Sequence, residues 1–234
     1  MAALYLIPNL LGDTPWYRVL TADLPEIMSG IRYFIAEDIR NARRFLKKIN
    51  PETDIDALHF YELNKFTTDE QKAGFLDPLK RGEPMGLLSE AGCPGVADPG
   101  ADIVRIAHQH QLEVVPLVGP SSILLGLMAS GLNGQQFAFH GYLPVKQPER
   151  IKKIQFLEKQ AISQKQTQIF IETPYRNNQM LQDILHSCQP TTLLCIAADL
   201  TTESEFVRTL PVSAWKKQIP NLDKRPVVYL LGGH

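Results

Sequence analysis

A short loop in the first half of the chain carries residue types that could build a binding pocket. The apolar run Met85–Leu88 ends abruptly and is followed by Ser89–Gly100, which holds three glycines, two prolines and the carboxylates of Glu90 and Asp98. Glycine allows another group to approach the backbone closely, while proline stiffens the chain and removes N–H donors. The pattern predicts a rigid, backbone-lined pocket. A structural crossover turn is the alternative.

The elements that must position this loop alternate between strand and helix, which indicates βαβ units and a largely parallel sheet. Ligands of open α/β sheets bind beyond the carboxyl ends of the strands, so we expect the loops that follow the strands to converge at one edge. The predicted strands are Leu4–Ile7, Ile31–Ala36, Ala57–Tyr61, Met85–Leu88, Glu113–Leu117, Phe137–Tyr142, Thr167–Glu172, Leu193–Ala197 and Val227–Leu231. The predicted helices are Pro15–Met28, Asp38–Ile49, Asp69–Arg81, Gly100–Gln109, Ser121–Ser130, Arg150–Gln160, Asn177–Cys188 and Val212–Gln218.

The alternation is interrupted once, at Gly119-Pro120, and resumes with a very apolar helix. We interpret this break as a domain junction. The sequence therefore predicts an α/β protein with two domains, residues 1–118 and 119–234, built on mainly parallel or mixed sheets. A single continuous sheet is the alternative.

Composition and cysteine usage exclude several classes of protein. The formal net charge of −1 gives no overall attraction to nucleic acid or membrane, and no apolar run is long enough to span a bilayer. Three cysteines without a CxxC pair argue against a disulfide framework or a structural zinc, and the six histidines show no metal-ligand spacing, so we expect no metal. A reduced, cytoplasmic protein is the simplest inference. Cys93 lies inside the glycine loop without a neighbouring His or Lys to activate its thiol.

The common catalytic and nucleotide-binding motifs are missing. No GxGxxG follows the first strand, and no GxxxxGK[ST], HExxH or GxSxG occurs. These absences argue against a dinucleotide oxidoreductase, a nucleoside triphosphatase, a zinc protease and a serine hydrolase.

Lysine and arginine concentrate in three places, which would suit RNA phosphates but are equally typical of solvated faces. The three clusters are Arg40, Arg43, Arg44, Lys47 and Lys48; Lys146, Arg150, Lys152 and Lys153; and Lys216, Lys217, Lys224 and Arg225.

Five strings along the chain resemble the motifs of the tetrapyrrole methylase family, and most closely those of its ribosomal RNA small-subunit methyltransferase I branch. The similarity runs from Leu4 to about Arg208, and the order and spacing of the strings make it specific. The strings are AEDIR at Ala36–Arg40, SEAGCPGVADPG at Ser89–Gly100, VGPSS at Val118–Ser122, ETPYR at Glu172–Arg176 and DLTT at Asp199–Thr202.

The resemblance implies two α/β domains with S-adenosylmethionine held in a cleft between them, and a homodimer. The carboxylates and carbonyls of the loops would favour the cationic sulfonium of that methyl donor. The cofactor contacts implied are Pro8, Gly92, Cys93, Pro94, Val96, Ser121, Ser122 and Glu172.

The chain departs from the branch at positions that matter for catalysis. Thr202 stands where the branch has a lysine, and Tyr175 stands where it has a histidine. Methylation of a ribose 2′-hydroxyl benefits from a general base because the hydroxyl has a high pKa. Without the lysine, Glu37, Asp38 and Glu90 are the candidate catalytic bases.

The resemblance therefore predicts a methyltransferase whose acceptor is a cytidine ribose of small-subunit ribosomal RNA. A methyltransferase for a small molecule of the tetrapyrrole type is the first alternative. A protein that binds S-adenosylmethionine without catalysis is the second, and the missing lysine motivates it.

Overall fold

The computed structural model describes residues 2–233 and divides the chain into two compact units, Met1–Ser121 and Ser122–His234. Each unit is built on its own five-stranded sheet with helices packed against it. The predicted α/β class with mainly parallel or mixed sheets is confirmed, and the alternative of one continuous sheet is wrong.

In the first unit all neighbouring strands are parallel, and the strand order is β3-β2-β4-β1-β5. Its strands are β1 (Leu4–Ile7), β2 (Tyr33–Ala36), β3 (His59–Glu62), β4 (Met85–Leu88) and β5 (Val114–Pro116). Its helices are α1 (Leu24–Ser29), α2 (Ile39–Ile49), α3 (Asp69–Phe75), α4 (Asp77–Lys80) and α5 (Gly100–Gln109).

The helices cover both faces of this sheet, and β4 lies fully buried at its centre. Apolar side chains of α1 and α2 share one core with Ile7 and Phe34, while α4 and α5 share the other core with Leu4 and Leu87. The chain therefore leaves β1 and β2 toward one face and leaves β4 toward the other. Such a change of side is a topological switch point, where open α/β sheets leave a crevice beyond the strand ends.

The second unit has a mixed sheet in the order β6-β7-β10-β8-β9, in which only the β6–β7 pair is parallel. Its strands are β6 (Phe137–Tyr142), β7 (Thr167–Glu172), β8 (Leu193–Ala198), β9 (Phe206–Pro211) and β10 (Val227–Gly232). Its helices are α6 (Ser122–Ser130), α7 (Gln147–Ser163), α8 (Asn177–Ser187) and α9 (Val212–Trp215).

Two predicted helices are interrupted in the structure, each at a proline, one observed strand was not predicted, and several other elements differ from the prediction in their bounds. The helix predicted over Pro15–Met28 is a 3₁₀ turn at Trp16–Arg18 followed by the short α1, because Pro25 is tolerated only in the first turn of a helix. Pro78 likewise lies in the first turn of α4, which is separate from α3 within the helix predicted over Asp69–Arg81. Strand β9 was not predicted; it is an edge strand, whose polar residues weaken the sequence signal.

None of the helices described between residues 2 and 233 is both long and apolar enough to cross a membrane.

Candidate functional site

The ends of the parallel strands in the first unit lie in one row. Leu88 pairs with Ile7 on one side and with Ala36 on the other, and Ala36 pairs with Glu62. The loops that follow β1, β2, β3 and β4 therefore start from the same edge of the sheet, as the parallel pattern predicts.

Asn9 joins the loop after β1 to the loop after β4. Its backbone N–H donates to Gly92 O (2.9 Å), and the Gly92 N–H donates back to Asn9 O (3.1 Å). Its side-chain Nδ2 donates to Ser89 O (3.0 Å) and Glu90 O (3.2 Å), while its Oδ1 accepts from the Leu10 N–H (2.7 Å). Four of these contacts cross about 80 residues of sequence and fix the two loops as one wall.

The loop after β5 packs against the same wall. The Cys93 thiol lies 3.5 Å from Pro120 O and 3.9 Å from Gly119 O. A Cβ added to Gly119 would lie 2.3 Å from the Pro8 ring, far inside van der Waals contact. Gly92 has φ +70°, and a Cβ there would approach Leu11 and the Pro120 carbonyl. These glycines are required because three loops approach one another closely.

Asp98 organises the second half of the glycine loop. Its Oδ1 accepts from the backbone N–H groups of Gly95 and Gly100, both at 2.8 Å. Between them Ala97 adopts φ +61°, a left-handed conformation that is uncommon for residues other than glycine. The carboxylate therefore closes the turn that leads into α5.

Three carboxylates gather at this edge of the sheet. Partial desolvation raises the pKa of Glu37, and the nearby charges of Glu90 and Asp98 raise it further. Burial also raises the pKa of Asp98, although the N–H groups of Gly100 and Gly95 oppose the shift. Glu90 is tied to helix α2, because Asn41 Nδ2 donates to its Oε2 (2.7 Å). A concentration of negative charge of this kind favours a cationic ligand.

Asp38 has a structural role at the start of α2. Its backbone is extended and its Oδ1 accepts from the Asn41 N–H (3.0 Å), so it is the N-cap of the helix. The capping interpretation, rather than catalysis, is the one that the geometry favours for this residue.

A small cavity separates Glu37 from the β4 loop. It has a volume of about 10 Å³ and is lined by Glu37, Leu63, Leu88, Asp98 and their neighbours. This space is sufficient for roughly one water molecule, and the two carboxylates supply polar partners for it.

The raised pKa of Asp98 predicts a dependence of stability on pH. A carboxyl group with a higher pKa in the folded than in the unfolded protein stabilises the fold below its unfolded pKa, and this contribution is lost as the pH rises through its folded pKa. Asp98→Asn removes the titration but keeps an oxygen for the N–H groups of Gly95 and Gly100. We expect the free energy of unfolding of the wild type, relative to Asp98→Asn, to fall as the pH rises from about 4, the ordinary pKa of an aspartate, through the raised pKa of the folded protein.

Urea unfolding at several pH values, with hydrogen exchange of peptides from α5 to report on the first unit, measures this difference. A difference that stays constant or increases with pH would show that Asp98 is not desolvated by the loop.

The cysteines behave as apolar residues. Burial raises the pKa of the Cys93 thiol, and it raises the pKa of Cys188 to about 12 and of Cys195 to about 11. The thiolate is the nucleophilic form, so none of the three is activated.

In the second unit, Glu172 ends β7 and is 4% exposed. Its Oε1 accepts from the Thr173 N–H (2.7 Å) and from Arg176 Nε (3.0 Å) and Nη2 (2.6 Å). Its Oε2 is buried and has no hydrogen-bond partner within the described residues. Burying a carboxylate oxygen without a hydrogen-bond partner costs free energy. Glu172 Oε2 therefore marks a position where a hydrogen-bond donor of a ligand would be stabilised.

The Asp199–Thr202 string lies at the same end of that sheet, because Val227 pairs with Glu172 on one side and with Ala198 on the other. Asp199 Oδ2 accepts from Arg225 Nε (2.6 Å), and Thr202 Oγ1 donates to Asp199 O (2.8 Å). Asp199 and Thr201 have φ values of +50° and +72°. The Asp199–Thr202 loop is therefore a turn held by hydrogen bonds, and Arg225 is the cation that pairs with it.

The basic clusters differ in their availability. The cations of α2, Arg40, Arg43, Arg44, Lys47 and Lys48, are all exposed. Arg150 is not a surface residue: it is 4% exposed and its guanidinium binds Asp183, with Nη2 2.6 Å from Oδ2. Arg150 is therefore part of the core of the second unit and is not available to bind a ligand with the rest of the second basic cluster.

The structure brings together some of the predicted site residues and separates others. Pro8, Gly92 and Cys93 lie in the joined loops, and Pro94 is buried beside them, whereas the Val96 side chain is 46% exposed. Ser121 ends the first unit and Ser122 begins α6 in the second, where Glu172 also lies. Among residues 2–233, no group of three or more His, Cys, Asp and Glu is arranged to hold a metal ion.

Asn9 and Asn41 were missed as site residues. Both act through contacts with the loop after β4, 49 to 81 residues away in sequence. No local pattern predicts such a contact, and only the parallel pairing of the strands could have suggested it.

The fold is shared with a solved methyltransferase structure. A structural comparison over 100% of this chain aligns it with 95% of the solved structure of the methyltransferase CobJ, with a TM-score of 0.65 and 14% sequence identity. No protein-family model matches the chain.

Sequence relatives identify the family. Three proteins named ribosomal RNA small subunit methyltransferase I match over 88–99% of this chain: 32% identity over 235 residues in Vibrio cholerae, 29% over 235 in Escherichia coli and 29% over 210 in Pseudomonas aeruginosa. The matches cover 77%, 78% and 71% of those proteins. The chain belongs to the ribosomal RNA small subunit methyltransferase I family, which confirms the predicted resemblance.

Proposed function

We propose that this methyltransferase transfers a methyl group from S-adenosylmethionine to a cytidine ribose 2′-hydroxyl of small-subunit ribosomal RNA. The name that the relatives share supports small-subunit ribosomal RNA as the substrate, and the cytidine ribose is taken from the family resemblance of the sequence. The observation that carries the chemistry is the carboxylate cluster of Glu37, Glu90 and Asp98 at the edge where the loops of the first unit meet.

The joined loops have the chemistry of a methyl-donor site. Pro8, Gly92, Cys93 and Pro94 present backbone and small side chains, and the close approach at Gly119 leaves no room for a larger residue. S-adenosylmethionine supplies an activated methyl group on a cationic sulfonium. The neighbouring carboxylates favour that charge, and the rigid wall aligns the donor for an in-line displacement.

Glu172 has the chemistry of a further donor contact. Its unpartnered Oε2 would accept an N–H bond from an ammonium or amino group, and Arg176 and Thr173 hold the carboxylate in place through Oε1. Ser121, Ser122 and Val96 remain proposed contacts on the basis of the resemblance alone.

Glu37 is the best candidate for the general base among Glu37, Asp38 and Glu90. Asp38 is used as a helix cap, and Glu90 accepts a bond from Asn41. Glu37 has its pKa raised by desolvation and by two carboxylate neighbours, which makes it a stronger acceptor for a hydroxyl proton. It would compensate for Thr202, which offers no cation at the position of the branch's lysine.

The test is methyl transfer from radioactive S-adenosylmethionine to ribosomal RNA from cells that lack this protein. We expect label in small-subunit RNA, at a nucleotide whose 2′-O-methyl group blocks alkaline cleavage on its 3′ side. Label only in the small-molecule fraction of the same extract would favour the small-molecule methyltransferase. Donor binding without any labelled product would favour a binding protein without catalysis.

The homodimer implied by the resemblance and the cytoplasmic location inferred from the cysteines stay predictions. Light scattering that shows only 26.3 kDa particles would contradict the dimer.

A further inference from the structure

A surface pocket of about 400 Å³ lies along the edge strand β3 and the turn that leads to α3. Nothing in the donor site described above uses it. Its wall includes Tyr61, Glu62, Asn64, Phe66, Gln71 and Phe75. The volume is within the range of small-molecule sites, and the lining combines aromatic rings with a few polar groups, as such sites usually do.

The side-chain amides of Asn64 and Gln71 in the pocket are held by hydrogen bonds. Asn64 Oδ1 accepts from the Phe66 N–H (2.8 Å), and Gln71 Oε1 accepts from the Thr68 N–H (2.9 Å) in a capping box. Both amide oxygens are therefore engaged, and Asn64 Nδ2 and Gln71 Nε2 have no hydrogen-bond acceptor among the described residues. With the Glu62 carboxylate they offer two donors and one acceptor, the kind of pattern that recognises the edge of a nucleobase.

The aromatic part of the pocket is partly rigid and partly open. The Tyr61 and Phe75 rings pack against each other with centroids 5.1 Å apart. Phe66 is 78% exposed, and Lys65 Nζ lies 4.9 Å from its ring centroid. An exposed phenylalanine beside a cation is a stacking platform of the type that binds single-stranded nucleic acid.

The pocket is one strand away from the proposed base. Glu62 pairs with Ala36, and the Leu63 N–H donates to Ala36 O (2.8 Å), so the turn with the pocket starts beside Glu37. Adjacent strands are about 4.8 Å apart, a distance of the same order as the size of the groups within one nucleotide. Helix α2 packs on the other face of the sheet from Tyr61 and Phe75, but its exposed cations include Arg43, which reaches the edge strand β3, where its guanidinium lies 5.3 Å from the Phe60 ring. These cations would neutralise phosphates of a bound strand.

We propose that this pocket holds an unpaired base of the RNA strand that carries the methyl acceptor. The inference rests on the proposed function. Phe66 stacks on the base, the amides of Asn64 and Gln71 and the carboxylate of Glu62 contact its edge, and α2 holds the adjoining phosphates.

Phe66→Ala tests the stacking contact. We expect the KM for RNA to rise roughly 5- to 150-fold, the range that loss of one base–aromatic stack produces, while the affinity for S-adenosylmethionine stays unchanged. Phe66→Trp should restore the KM. The matched control is Phe156→Ala, which removes a ring that is 50% exposed and lies 5.1 Å from Lys153 Nζ in the second unit. It should leave the KM unchanged.

RNA with single abasic nucleotides near the methylated position identifies the stacked base. At one abasic position, the KM of the wild type for RNA should rise as much as it does for intact RNA in Phe66→Ala. The same abasic RNA should cause no further rise in Phe66→Ala, because both changes remove the same contact. If the wild type methylates RNA but Phe66→Ala has the same KM, or every abasic effect adds to that of Phe66→Ala, the pocket proposal is wrong. If the wild type methylates no RNA, the proposed function itself has failed.

Discussion

Replacing Glu37 by Gln should lower the rate of methyl transfer by about 10²- to 10⁴-fold, the range typical for loss of a general base. The amide keeps the size of the side chain but cannot accept the proton of the acceptor hydroxyl. Because Glu90 and Asp98 keep two of the three negative charges that favour the sulfonium, we expect the dissociation constant of S-adenosylmethionine to rise by no more than about threefold. Single-turnover rates and donor titrations measure the two quantities.

The wild-type rate should rise with pH as one carboxyl group ionises with a pKa above its ordinary value, since desolvation and the charges of Glu90 and Asp98 raise the pKa of Glu37. Two matched variants serve as controls. Glu83→Gln changes an exposed carboxylate just before β4, at the end of the strands opposite to the proposed site. Asp38→Asn keeps a good N-cap for α2. Both should retain nearly full activity; an active Glu37→Gln together with an inactive Asp38→Asn would move the base to Asp38.

Replacing Asp183 by Ala should lower the free energy of unfolding of the second unit by about 3–5 kcal/mol, the usual cost of leaving one partner of a buried ion pair unpaired. Asp183 and Arg150 are 3% and 4% exposed. Asp183 accepts from Arg150 Nε (2.7 Å), from Gln147 Nε2 (2.8 Å) and from Gln179 Nε2 (3.0 Å), so its loss leaves a buried guanidinium and two amides with fewer partners.

Trp215 reports on this change because it belongs to the same apolar core as Leu181 and Ile184 of α8. Urea unfolding followed by tryptophan fluorescence in a Trp16→Phe background, which leaves Trp215 as the one tryptophan, gives the free energy. Asp13→Ala, which removes an exposed partner of Lys48, should have almost no effect. The double variant Arg150→Met/Asp183→Leu should recover most of the loss, because apolar residues of similar size remove both charges together. Equal stability of Asp183→Ala and the wild type would mean that water reaches the pair.

The sequence was sufficient to predict most strands and helices of the first unit, because the patterns that indicate them are local. Short buried runs such as Met85–Leu88 have no polar residues, which is typical of parallel strands covered on both faces. Once the strands are parallel, the convergence of their following loops is a geometric consequence. The position of the Ser89–Gly100 loop followed from these two steps.

The remaining differences come from contacts that have no local signature. The role of Asn9 depends on a neighbour about 80 residues away, and the capping role of Asp38 competes with a catalytic one for the same residue type. Arg150 has the sequence context of a surface cation, yet its ion pair with Asp183 on α8 buries it. In each case the residue type alone is compatible with two roles, and tertiary packing determines which of them the residue has.

Calorimetric titration of S-adenosylmethionine into the wild type, Gly119→Ala and Gly134→Ala tests most directly whether the joined loops of the first unit hold the methyl donor. The added Cβ at position 119 would lie 2.3 Å from Pro8, whereas at position 134 it would meet nothing within 4 Å. We predict that Gly134→Ala binds like the wild type and that Gly119→Ala binds at least about tenfold more weakly, because overpacking forces the loops apart. Equal binding by Gly119→Ala, or no binding by the wild type at millimolar donor, would contradict the assignment of the site.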